Sequence, residues 1–393
     1  MLRARLAGSV RVLVMLWAAL LAPVAGFSQA ESPAPPTGQA VASGASAGNF
    51  DELVSAAAAA GERQDIPQAV RLTRQALKLN PAWAQGWWEL GSMEFGQNDF
   101  SGAEAALTQL LAIDPDAGPA RAMRGIAEFQ TADYVSALAD VQRAIALGAA
   151  DNARNGMVLR YHEALLLTRN GRFEEALTDY EFFVKAGKTN AELFTALGLA
   201  GLRVPLLPKE LGAGQQAMYE AAGKAVAAYQ SGDDATAKVA FKDFFERFPN
   251  VPWSHFLYGY LLFQSDPAAA LVEWRREVQI APENPTAVST LAWALLLSDE
   301  AAEALPFAEK AEALEPEKAL SQVILGRALA ETGDLDRGFS HLQEALRIDP
   351  DNLEAHFALA KADSLAGRNL DAQRERLYCT QAEGLRGNAN ARP

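Results

Sequence analysis

Four histidines, one cysteine and a few adjacent acids are the residues of this chain that could move protons, hold a metal or act as nucleophiles. The histidines are His162, His255, His341 and His356. None stands in an HExxH run or beside paired cysteines, the spacings that converge ligands on zinc. Glu174 and Glu175 are neighbours in sequence, and neighbours on a helix do not share a face, so they read as solvated surface and not as a general acid–base couple. Cys379 has no second cysteine to bridge to, which excludes a disulfide within the chain, and it reads as a small apolar residue. No GxSxG, GxxxxGK[ST] or GxGxxG run is present. These observations predict no catalytic residues, no cofactor and no metal site.

A different chemistry is carried by aromatic side chains. Trp253, Phe256, Tyr260 and Phe263 fall at i, i+3, i+7 and i+10, which puts all four on one face of a helix. Two readings follow. The rings form an amphipathic platform for a partner, since aromatics offer large contact area with a polar edge. Alternatively they are core, as apolar stripes at helical spacing commonly are.

The elements that position them come from a repeat. Residues 99–128 and 334–363 both run from an apolar segment through IDPD into an Ala-rich one. Pro81 and Pro115, Pro316 and Pro350, and Gly91 and Gly125 are each 34 residues apart. Periods of this size mark solenoids. Within one period, Trp87, Leu90, Gly91 and Phe95 keep helical spacing, Gln97-Asn98-Asp99 breaks it, and Ala103, Leu107 and Leu110 form a second stripe. Asp114-Pro115-Asp116 then ends the second helix, because proline restricts the residue before it and donates no backbone hydrogen bond. Gly91 and Ala103 are expected where the two helix backbones approach closely.

This pattern resembles the tetratricopeptide repeat, a 34-residue helix–turn–helix. The resemblance rests on Leu90, Gly91, Ala103, Pro115, Gly125, Ala137, Gly198, Gly259, Pro282, Ala292, Pro316, Gly326 and Pro350. Repeats would begin near residues 50, 84, 118, 157, 191, 218, 252, 285, 319 and 353. The implied fold is all-α, a right-handed α-α superhelical solenoid. In this family the first helix of each pair lines a concave groove where peptides lie. Carried over, the groove residues are Trp88, Phe95, Phe129 and Tyr161, then Tyr219, Tyr229, Trp253, Phe256, Tyr260, Phe263 and Trp293. The paired Lys and Asn of the carboxylate-binding subclass are absent at Trp88, Ser92, Ala122, Ile126, Tyr161 and Leu165. Arg327 and Lys361, at a groove position of late repeats, read as solvated surface.

The domain plan has a signal peptide at 1–30, a flexible linker at 31–49 and an N-terminal solenoid at 50–198. An irregular joint containing Pro205 and Pro208 follows at 199–214, then a C-terminal solenoid at 215–381 and a disordered tail at 382–393. The signal reading rests on Arg3, Arg5 and Arg11 before a short apolar run and on Ser28 and Ala30 as small exit residues, with an uncleaved membrane anchor as its alternative. It predicts an exported chain, periplasmic or secreted, with no stable span after cleavage. Asp plus Glu is 49 against 35 Lys plus Arg, a net charge of −14, which predicts no nucleic-acid partner. The expected function is a non-catalytic scaffold or adaptor that binds a protein or peptide in its groove. The alternatives are a structural or self-assembling envelope component and, less favoured, an enzyme with a site near 199–214.

Overall fold

The computed structural model describes residues 44–151 and 153–389. Among them every long element is a helix, and sequential helices pack as hairpins. The fold is an all-α solenoid of the tetratricopeptide type. The described residues fall into two compact units, 44–247 and 248–389.

In the first unit the hairpins are α1 (Gly44–Glu62) with α2 (Ile66–Leu79), and α3 (Ala84–Gly96) with α4 (Phe100–Ile113). Next come α5 (Gly118–Gln130) with α6 (Tyr134–Ala146), and α7 (Ala153–Arg169) with α8 (Phe173–Lys185). Then follows α9 (Ala191–Gly201), and after it α10 (Gln216–Gln230) with α11 (Asp234–Arg247). The second unit holds α12 (Ser254–Phe263) with α13 (Pro267–Ile280), and α14 (Pro285–Leu297) with α15 (Ala301–Leu314). It ends with α16 (Ala319–Glu331) with α17 (Leu335–Ile348), and α18 (Leu353–Leu365) with α19 (Asn369–Ala389).

One local device makes most of the hairpin turns. The fifteenth residue of eight repeats lies in the left-handed region: Gln64, Asn98, Ala132, Gly171, Gly232, Asp299, Gly333 and Gly367, with φ from 60 to 101°. An aspartate follows in five of these turns and caps the second helix. Asp65, Asp99, Asp133, Asp233 and Asp334 each accept a hydrogen bond from the backbone N–H three residues on, satisfying a donor the helix cannot. The repeat at 252 is one residue short here, and Asp266 caps α13 without a left-handed residue before it.

Packing inside a hairpin is small against large. A Cβ added to Gly91 would lie 2.8 Å from Leu107, one on Gly125 3.0 Å from Val141, and one on Gly326 2.7 Å from Leu342. Ala103, Ala137, Ala176, Ala237, Ala304 and Ala345 are fully buried on the second helices. Leu90 and Ala292 are buried on the first helices, while Pro115, Pro282, Pro316 and Pro350 stand exposed in the turns between repeats.

Several boundaries differ from expectation. Helix α19 runs on to Ala389, so the backbone of 382–389 is helical where a disordered tail was expected. Helix α1 likewise begins inside the expected linker. The division between units falls at 247/248, and the Pro-containing segment lies inside the first unit. Proline does stop α9 there, but α10 packs directly on α9 in place of the missing second helix. The signal peptide at 1–30 lies outside the described residues.

Candidate interaction surfaces

The aromatic residues assigned to a groove are mostly packed away. Phe95, Phe129, Tyr161, Tyr219 and Phe256 are buried. Trp88, Tyr229, Trp253, Tyr260, Phe263 and Trp293 are half-buried, and none of the eleven is exposed. Five of them therefore cannot present a free face, which corrects the open-platform expectation for those residues.

Their neighbours explain this. Phe95 meets the edge of Phe100 at 5.4 Å between centroids. Phe129 is covered from three sides, by Tyr134 at 5.8 Å, His162 at 5.1 Å and Lys209, whose Nζ sits 4.6 Å above the ring. Lys209 belongs to the 3-10 turn Pro208–Glu210, whose Glu210 pairs with Arg169 at 3.1 Å. The proline segment thus folds over the face of the first helices and closes part of it.

In the second unit the stripe 253–263 is organised by Trp274 of α13. Trp274 is buried, donates from Nε1 to the Phe256 carbonyl at 3.1 Å, and packs against Tyr260 at 5.5 Å and Phe263 at 5.2 Å. Gly259 makes room for it, since a Cβ there would fall 2.3 Å from Nε1. Trp253 starts α12 in a left-handed conformation, φ 72°, and offers no side-chain cap. The buried carboxylate of Glu277 does this from α13, accepting from the backbone N–H of Trp253 at 2.6 Å and of Phe256 at 3.2 Å. Burial raises the Glu277 carboxyl from the usual range, and those two N–H groups oppose the rise.

A mixed surface remains on α16 and α18. Arg327 lies 5.4 Å from the Trp293 ring, bonds Glu331 at 2.6 Å and donates to the Leu296 carbonyl at 2.7 Å. Lys361 reaches the same Glu331 at 2.8 Å. Both cations, expected as isolated surface, are therefore tied into one group. On α18, Phe357 and Leu365 are 44% and 54% exposed, one turn to either side of Lys361.

The sequence reading missed a polar bracket that recurs between the helices of a hairpin. The fourth residue of a repeat reaches the twenty-third on the second helix, or the twenty-second in the shortened repeat at 252: Arg121 with Asp140 at 3.0 Å, His255 with Glu273 at 2.6 Å, Gln322 with His341 at 2.7 Å, His356 with Glu375 at 2.5 Å. The same four residues point back to the carbonyl of the proline six positions earlier, Pro115, Pro249, Pro316 and Pro350, at 2.7 to 3.4 Å. Trp87 does so to Pro81 at 2.8 Å. The spacing to the proline was the available signal; the letters differ, so no motif shows. Three of the four histidines are absorbed by this bracket, and His162 bonds the Val158 carbonyl within its own helix.

Two acids are shifted far from their ordinary values. Burial, then the nearby Asp140, pushes Glu128 up to about 8 despite Arg124 at 3.5 Å. Burial and Glu163 push Asp179 up to about 7. Among the described residues no three His, Cys, Asp or Glu side chains gather as a metal site, and the Cys379 thiol is buried, its Sγ donating to the Leu353 carbonyl at 3.9 Å. No helix among the described residues is long and apolar enough to cross a membrane.

With this geometry in place, the comparisons fit. Residues 55–117 and 94–153 match the tetratricopeptide repeat, and so do residues 319–362. Repeats of that kind are therefore present in both units. No curated protein matches the chain. Similar solved structures include "MamA 41-end" from Desulfovibrio magneticus RS-1, 20% identical over 44% of this chain and 96% of that one, with a TM-score of 0.37. A crystal structure of MamA protein is 18% identical, covering 45% of this chain and 97% of that chain, with a TM-score of 0.38. A MamA RS-1 double mutant is 20% identical over 41% and 92%, with a TM-score of 0.37. The expectation of an exported tetratricopeptide protein, periplasmic or secreted, is withdrawn, and location forms no part of the function below.

Proposed function

We propose that the chain is a non-catalytic scaffold that acts through protein–protein contacts, with α16–α18 of the second unit as its working surface. The observation that carries this reading is the exposed strip Phe357–Lys361–Leu365, apolar at both ends with a cation between. Exposed apolar side chains on an otherwise well-packed surface commonly serve an interface. Such a strip suits a partner segment in which apolar residues flank an acid. The packed aromatics of α12 support the strip's unit and do not serve as the platform.

The test is capture by the full chain beside the variant Phe357→Ser/Leu365→Ser. Phe357 is 44% and Leu365 54% exposed, and circular dichroism of the variant checks that it keeps its fold. Loss of the captured partners supports the reading, and equal capture by both proteins rejects it.

A second reading is a structural component that assembles with copies of itself. It is favoured by α19, where Leu370 is 79% exposed and Leu377 56%, two turns apart on one face. Light scattering across a concentration series distinguishes the two: self-association abolished by Leu370→Asp/Leu377→Asp favours this one.

A further inference from the structure

We infer that a cavity between α2, α3 and α4 binds an uncharged apolar molecule bearing one N–H or O–H donor, with the Glu94 carboxylate as the acceptor. The cavity belongs to the first unit, whereas the proposed working surface belongs to the second. Its volume is about 410 Å³, inside the span of about 300–1,000 Å³ usual for ligand pockets.

The body of the ligand is set by the walls. Leu77, Leu90 and Ala106 line the cavity as part of one packed cluster, and Trp87 lies against it. Trp87 Nε1 already donates to the Pro81 carbonyl at 2.8 Å, so the indole adds apolar surface and leaves no donor unpaired. Covering these side chains with an apolar body removes that surface from water. The charged wall residues are Arg74, Lys78 and Glu94. Two cations against one carboxylate oppose a cationic ligand, and an anionic one would face the carboxylate. An uncharged ligand meets neither objection.

The polar end is set by Glu94. It is 3% exposed, and its Oε1 accepts from the Arg74 guanidinium at 2.6 Å. Its Oε2 is buried with no hydrogen-bond partner, an uncommon state for a native carboxyl. An ionised carboxylate accepts and never donates, so the missing partner is a donor. A buried acceptor left unpaired is costly, and a ligand that brings an N–H or O–H removes that cost. The terminal torsion of a glutamate is broad. The carboxylate can therefore turn Oε2 toward the cavity, and Arg74, an exposed side chain, follows it.

Isothermal titration of the full chain with indole, and separately with indene, reads the donor. The two have nearly the same shape, and only indole carries an N–H. Indole should bind about tenfold more tightly or better, because a site that hydrogen-bonds its ligand rejects the analogue lacking the group. The same chemistry has two sources, a free small molecule or a tryptophan side chain of a partner. Titration with acetyl-Gly-Trp-Gly-amide separates them: binding at least as tight as that of indole assigns the side chain, and weaker binding the small molecule. Glu94→Leu should bring the indole-to-indene ratio to about one, since no acceptor is left. Ala106→Leu, which narrows the cavity, should abolish both heats. Circular dichroism checks the fold of each variant, and the comparison of indole with indene on the parent decides even where a variant loses its fold. Equal affinity of the parent for indole and indene overturns the inference, as does a preference for indole that survives Glu94→Leu. So does the absence of binding of both indole and the peptide at millimolar concentration.

Discussion

Gly198 on α9 and Gly223 on α10 let two helix backbones touch. A Cβ on Gly198 would fall 1.9 Å from the Tyr219 carbonyl oxygen, and one on Gly223 would fall 1.7 Å from that of Phe194. Both obstacles are backbone, so neither can rotate aside. This contact replaces the second helix that the prolines after α9 prevent. Gly223→Ala should therefore force α9 and α10 apart and destabilise the first unit by about 3 kcal/mol, the upper range for overpacking a core. Gly61→Ala is the control, because nothing lies within 4 Å of its added Cβ. Chemical denaturation followed by circular dichroism should show a lower midpoint for Gly223→Ala only. Equal midpoints would mean that the α9–α10 contact is looser than described.

Ala132 is the odd residue among the left-handed turn positions. Its φ is 68°, in a place where Gly232, Gly333 and Gly367 stand in other repeats. An L-residue there strains its Cβ against the backbone, by about 1–2 kcal/mol. Ala132→Gly should relieve that strain and raise stability by roughly 1 kcal/mol after the entropy of the more flexible unfolded chain is counted. A thermal melt reads the gain directly, and a drop in melting temperature would contradict it.

The turns, caps and small residues were legible because each repeat solves the same problem with the same letters. Gly91, Gly125 and Gly326 announce a close approach wherever they occur. What the sequence did not disclose depends on partners distant along the chain. Phe129 is covered by Lys209, eighty residues on, and no local spacing reports that. The bracket was hidden for a different reason. Arg121, Gln322 and His356 do one job with three side chains, so the eye sees unrelated letters and reads each histidine alone. The proline pair after α9 correctly signalled an interruption, yet it said nothing of α10 moving in.

Glu128 makes stability depend on pH in a definite direction. Its folded value of about 8 lies above the ordinary 4.5. Below about 4.5 both states hold the proton, and the group contributes no difference. Between there and 8 the folded chain keeps a proton that the unfolded chain releases, so stability falls as pH rises. Above 8 the folded chain carries the full cost of a buried charge beside Asp140. Glu128→Gln removes the titration. Its advantage in urea midpoint over the parent should be small at pH 5, larger at pH 7 and largest at pH 9. Parallel pH profiles for the two proteins would show that Arg124 already compensates the charge.

The bracket at His356 separates a structural histidine from a merely tolerated one. Its Nδ1 lies 2.5 Å from Glu375 and its Nε2 3.2 Å from the Pro350 carbonyl, so one ring ties α18 both to α19 and to the turn before it. The Tyr378 ring lies 4.0 Å away, and its hydroxyl donates to Asp351 at 2.9 Å, which closes the same corner. His356→Leu keeps the bulk and loses both bonds, at a cost of roughly 2 kcal/mol for two part-buried polar groups left unpaired. His356→Gln should cost less, because Gln322 makes the matching bond to Pro316 at 2.7 Å in the repeat before. Adding Glu375→Ala to His356→Leu should cost less than the two single changes together, by about 1 kcal/mol, as expected for residues in contact. Urea denaturation of the parent and these variants measures every term. Strict additivity of the His356 and Glu375 changes, with His356→Gln as harmful as His356→Leu, would show that the ring merely fills space.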